Sequence, residues 1–164
     1  MRQKLAFTLI ALPILLLVSG NSLWEADQNP LLRFVGTWKA QVQGDSGPAS
    51  LQWNLSAAAL DHGLYSNTRY ESNGKVDYES NSLWLYFPGK DSIIIQEINS
   101  MNATVVYSGK VLSNTKLEYV RYSPDNKRVL QRATLELQSP NELKYETIGY
   151  AGTTESRRSV LLKK

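Results

Sequence analysis

Thr37-Trp38-Lys39-Ala40-Gln41-Val42-Gln43 alternates without a break: Trp38, Ala40 and Val42 fall on one face, and Thr37, Lys39, Gln41 and Gln43 on the other. A half-buried β-strand requires this period of two, because successive side chains leave a pleated chain on opposite sides. The next stretch repeats it, with Leu51, Trp53 and Leu55 opposing Ser50, Gln52 and Asn54. Further along, Val129, Ala133, Leu135 and Leu137 share a face against Leu130, Arg132, Thr134 and Glu136. The middle differs. Leu83-Trp84-Leu85-Tyr86-Phe87 and Ile93-Ile94-Ile95 are apolar at both phases, as expected of strands with one face in a core and the other under a covering segment.

Between these stretches lie nine turn signals, from Gly44-Asp45-Ser46-Gly47-Pro48 to Ala151-Gly152-Thr153. Gly and Asn tolerate positive φ, Pro fixes φ, and Asp or Ser bonds the local backbone. Asn73-Gly74 is the sharpest of them, the pair that a two-residue type I′ hairpin asks for. The signals divide the chain into ten short segments, several rich in Val, Ile, Thr, Tyr or Trp. No helix-period stretch of ten residues follows the N-terminal region; the best helical candidate is a short plug from Leu31 to Val35, with Asn29 as cap and Pro30 in first position. Ten consecutive antiparallel strands left open would expose two edges. An all-β, up-and-down barrel of about ten strands is therefore the expected fold, ahead of a two-sheet sandwich.

Residues 1–22 read as a secretory signal peptide. Arg2 and Lys4 form the positive region, and Leu5 to Val18 is an apolar run of 14 residues interrupted by Pro13. That run is short of a bilayer's thickness, so cleavage is expected, before either Asn21 or Leu23, with no stable membrane span afterwards. Residues 23–164 then form a single barrel domain, expected to be periplasmic or secreted. Two of the 18 basic residues lie in the leader, which leaves 16 against 15 acidic ones, so no broad positive field invites nucleic acid. The absence of cysteine excludes disulfides, thiolate metal sites and a thiol nucleophile, and the single histidine, His62, excludes any triad or metal centre that needs two.

At Phe34-Val35-Gly36-Thr37-Trp38 the chain resembles the calycin superfamily, in which a short plug precedes Gly-x-Trp at the start of the first strand. From about residue 30 onward it looks like the ten-strand, lipocalin-like barrels related to nitrobindin. The rhythm of Tyr65 to Tyr70, the Leu83-Trp84-Leu85-Tyr86 strand before Pro88-Gly89, and the Arg-Ser-Val-Leu-Leu-Lys ending carry the same likeness. The resemblance implies that Gly36 and Trp38 seal one barrel end, with a basic side chain of the last strand, Arg157 or Arg158, over the indole ring. Nitrobindin holds haem through a histidine on its last strand, and that position falls on Arg157 here. A guanidinium stays protonated and has no lone pair for iron, so no cofactor is expected.

No Gly-x-Ser-x-Gly elbow, His-Glu-x-x-His, phosphate loop or EF-hand loop is present. Trp53, Tyr107, Tyr119 and Tyr145 share faces with small or aliphatic residues and are the candidate walls of a ligand cavity, with Arg157 as a candidate anchor for an anionic group. The expected function is non-enzymatic binding of a small hydrophobic or amphipathic molecule. Two alternatives stay open: an enzyme using inward carboxylates such as Glu97 and Glu118 or tyrosines, and an envelope interaction module with a filled barrel.

Overall fold

The computed structural model describes residues 29–44, 47–58 and 62–164. The leader expected over residues 1–22 lies outside them, as do Asp45, Ser46 and Asp61 of two turn signals. A 3-10 helix, Pro30–Phe34, comes first. Asn29 caps it by accepting the Leu31 N–H at 3.0 Å, and Pro30 occupies a position whose amide has no partner in the helix.

Ten strands follow: β1 (Gly36–Gly44), β2 (Gly47–Ala57), β3 (Gly63–Ser72), β4 (Lys75–Phe87), β5 (Ser92–Asn99), β6 (Thr104–Ser113), β7 (Lys116–Tyr122), β8 (Val129–Ser139), β9 (Glu142–Ala151) and β10 (Thr154–Lys163). Each pairs antiparallel with its neighbours in sequence, and β1 meets β10 to close the barrel. This is one continuous cylinder, not two layers. The β1–β10 seam is narrow, with Lys39 opposite Lys163, whereas β1 and β2 stay in register from Gly36↔Leu55 to Gly44↔Gly47.

All nine connections fall on the turn signals. Asn73 (φ 50°) and Gly74 (φ 72°) both take positive φ, as a type I′ turn demands. Asp91, Asn102 and Asn126 adopt the same left-handed conformation in three other connections, where their short polar side chains lower its cost. A β-bulge at Tyr70/Glu71 shifts the register of β3 against β4.

An up-and-down course brings the beginnings of odd strands and the ends of even strands to the same rim. There the inward residues are Trp38, Leu64, Leu117, Leu135, Leu143 and Leu162, each 0% exposed, and the 3-10 helix adds Leu31 and Phe34. The Trp38 indole N–H donates to the Phe34 carbonyl at 2.8 Å and ties the helix to β1. This end is a solid apolar plug.

The outer wall departs from one expectation. Leu85 (39% exposed), Phe87 (42%) and Ile94 (41%) face out, and no covering segment lies over them among the described residues. Trp84, Ile93 and Ile95 take the inward phase of the same stretches and are buried. The double-sided apolar pattern therefore records one core face and one uncovered face. Among the described residues no helix is long and apolar enough to cross a membrane.

Candidate functional site

The strand phase that fills the plugged end continues along each strand, but its residues change character toward the opposite rim. Tyr78 and Ser80 of β4, Glu97 and Asn99 of β5, Arg121 of β7 and Gln131 of β8 surround a cavity of about 350 Å³. Its apolar part is made by Trp53, Trp84, Ile95, Val105, Tyr107, Tyr119 and Tyr145.

Five rings form a continuous chain across this apolar part. Tyr145 and Trp53 have centroids 5.3 Å apart, Trp53 and Trp84 5.8 Å, Trp84 and Tyr119 5.6 Å, and Tyr119 and Tyr107 5.3 Å. Tilted and edge-to-face contacts of this kind add about 0.5–1.5 kcal/mol each beyond area burial. The indoles are also fixed by hydrogen bonds, Trp53 donating to Ser66 Oγ at 2.5 Å and Trp84 to Ser82 Oγ at 2.8 Å. Among the described residues the cavity floor leaves no buried side-chain polar atom without a partner.

The polar groups nearer the rim carry the electrostatics. Tyr78 donates its hydroxyl to Glu97 Oε1 at 2.6 Å. Burial, reinforced by that bond to a carboxylate, pushes the Tyr78 phenol up to about 12. Burial also raises Tyr107, with the negative charge of Glu97 adding to the effect, and raises Tyr119 and Tyr145. At neutral pH the tyrosines are neutral hydroxyls able to donate. Glu97 and Arg121 are the two charged residues that line the cavity.

In comparison with known proteins, no family model and no curated sequence matches this chain. The site must be read from its own residues.

Four of the five ligand-binding candidates, Trp53, Tyr107, Tyr119 and Tyr145, come together in the cavity wall. Arg157 does not. Leu162 is fully buried and sets the inward phase of β10, so Arg157, an odd number of residues away, faces out; its side chain is 71% exposed and bonds Glu155 at 3.1 Å. It lies instead beside an outer groove together with Arg132 and Glu146.

The cation over Trp38 also differs from the expected one. Lys164 Nζ sits 4.6 Å from the ring centroid. Arg158 is exposed and lies six residues back, roughly 20 Å along an extended strand, too far to reach Trp38. Gly36 (φ 150°) makes the contact feasible, because a Cβ at that position would collide with Lys164 Cε. Gly36 and Trp38 thus form the sealed end with Lys164 in the place expected for Arg158.

Glu97 takes the inward phase, whereas Glu118 faces out and accepts from Arg132 at 2.9 Å. His62 is exposed before β3. Arg121 and Tyr78 are cavity residues that pattern reading passed over. Arg121 was detectable, since it shares the period-two phase of Leu117 and Tyr119. Tyr78 shares the phase of Trp84, but Ser80 and Ser82 between them carry no apolar alternation that would have marked it.

Proposed function

We propose that this protein is an exported, non-enzymatic barrel that binds a small amphipathic molecule in the cavity opposite the Trp38 plug. The observation that carries the reading is the division of the interior: apolar and solid at one end, open at the other, with an aromatic floor beneath a polar rim. Leaving about 350 Å³ open to solvent gives up apolar burial that larger inward side chains would supply, which favours a role for the space itself. A kinship with the calycins and the nitrobindin-related barrels is supported by the closed ten-strand course, the Gly36-x-Trp38 entry and a basic side chain of the chain's last segment on that tryptophan. The anionic end of a ligand belongs at Arg121, the cation inside the cavity.

The test is native mass spectrometry of the purified protein after incubation with a total lipid and metabolite extract, with tryptophan emission followed in parallel. Bound small molecules and a shift in emission from Trp53 and Trp84 are expected. Thr68→Trp, which fills the cavity from β3, should abolish both. A wild-type protein that captures nothing and keeps its emission unchanged would end the proposal.

A further inference from the structure

Resting on that binding reading, we propose that the cavity is selective for a zwitterion, holding an alkylated ammonium group at Glu97 and a phosphate or carboxylate group at Arg121.

Two charges of opposite sign face one lumen without meeting. On the outer face of the same barrel, neighbouring opposite charges are joined: Lys116 with Glu136 at 3.1 Å, Arg132 with Glu118 at 2.9 Å, and Lys144 with Glu146 at 3.1 Å. Glu97 and Arg121 form no such pair among the described residues. They stand on β5 and β7 with β6 between them, two strand spacings across and two residues along, a backbone separation of roughly 12 Å. Glu97 is met by a neutral phenol, that of Tyr78. The Arg121 side chain has no hydrogen bond or ion pair among the described residues, so its donor fork is available. A half-buried charge without a counter-ion loses hydration that nothing in the protein replaces. A ligand carrying both signs satisfies both groups at once.

The surroundings decide which end goes where and what kind of cation fits. The fixed fork of Arg121 suits the paired oxygens of phosphate or carboxylate. Around Glu97 the cavity offers rings and hydroxyls: Tyr78, Tyr107, Tyr119 and Tyr145, with Trp53 and Trp84 beyond. Aromatic surfaces attract cations, and they suit an alkylated ammonium better than a bare one, which would need three acceptors. Tyr107 lies between the charged residues and responds to both of them. The same chemistry is available in a free soluble zwitterion or in the head group of a single-chain lipid.

Isothermal titration calorimetry on the full chain with four hexyl compounds tests this: hexylphosphocholine, hexanoate, hexyltrimethylammonium and hexyl glucoside. The zwitterion should bind at least about tenfold more tightly than any of the other three. Arg121→Gln should lower zwitterion and anion affinity by about tenfold while sparing the cation, and Glu97→Gln should lower zwitterion and cation affinity by a similar factor while sparing the anion. Arg121→Lys, which keeps the charge but not the fork, should retain part of the affinity. Equal binding of all four, or a preference untouched by either variant, would overturn the zwitterion proposal and leave the general binding reading intact. Binding of none would overturn the zwitterion proposal, while the extract experiment decides the general reading. Phosphocholine without a chain separates the sources: affinity close to that of the hexyl compound assigns the free zwitterion, and a large loss assigns the lipid.

Discussion

The two ends of the barrel interior are built from the same strands and the same inward phase, yet they are different materials. At the plugged end, leucines and two aromatic rings, Phe34 and Trp38, meet at 0–1% exposure and leave no room. At the other end the same alternation delivers Tyr78, Glu97, Arg121 and Gln131, which are half-buried around space. Stability is concentrated where the wall can be filled, and chemistry is placed where it is not. The plug supplies apolar burial that the open end does not.

Substitutions should separate the two ends by size of effect. Leu135→Ala, which empties a fully buried site in the plug, is expected to cost about 2–5 kcal/mol in urea denaturation while leaving ligand stoichiometry unchanged. A cost below about 1 kcal/mol would mean that the plugged end does not carry the fold.

Gly36→Ala comes next, with an expected loss of about 1–3 kcal/mol, because φ of 150° and the stem of Lys164 both oppose a Cβ. Combining it with Lys164→Ala should recover the steric part, so the double variant should be more stable than the two separate losses added together. Lys164→Met keeps the stem and removes the charge over Trp38; about 0.5–1 kcal/mol should be lost, measured as the shift in denaturation midpoint.

Glu97→Gln at the open end should change stability by no more than about 0.5 kcal/mol, although it alters binding. A much larger loss would move Glu97 from ligand chemistry to structure and erase the contrast.

A last contrast is in pH dependence. The Tyr78 phenol at about 12 lies above its value of 10.0 in an unfolded chain, so the native state keeps a proton that the unfolded state releases. The stability this contributes is complete below pH 10 and disappears as pH rises through about 12. Tyr78→Phe should flatten that part of the alkaline stability curve, followed by denaturation at a series of pH values.

Much of the fold was legible because its determinants are local. Period-two alternation at Trp38, Trp53 and Leu135 set the strand faces, and turn residues such as Asn73-Gly74 set the connections. Tyr107, Tyr119, Tyr145 and Trp53 followed from the same phase. What escaped depended on geometry that no single segment contains. Arg157 was placed from the resemblance of the last segment to other barrels, whereas the phase of β10 is fixed by burial of Leu162 at the other end of that strand. Lys164 reaches Trp38 only because the barrel closes β10 onto β1. Ile94 and Phe87 read as buried because apolar runs resemble two-sided cores, and alternation cannot report an uncovered wall. Arg121 needed only that the phase of Tyr119 be carried two residues further.

The seam at Lys39 and Lys163 bears on how the molecule assembles. Every other pairing joins neighbours in the chain, so hairpins can zip up in succession while loop-closure entropy stays low. The last join brings together the two most distant strands and is the one step with a large entropic toll. Until it happens, β1 offers an unpaired backbone edge beside the Trp38 ring, and the β10 of another copy is a chemically equivalent partner. Slow closure at high concentration would therefore favour exchange of β10 between molecules, and dilution would favour the monomer.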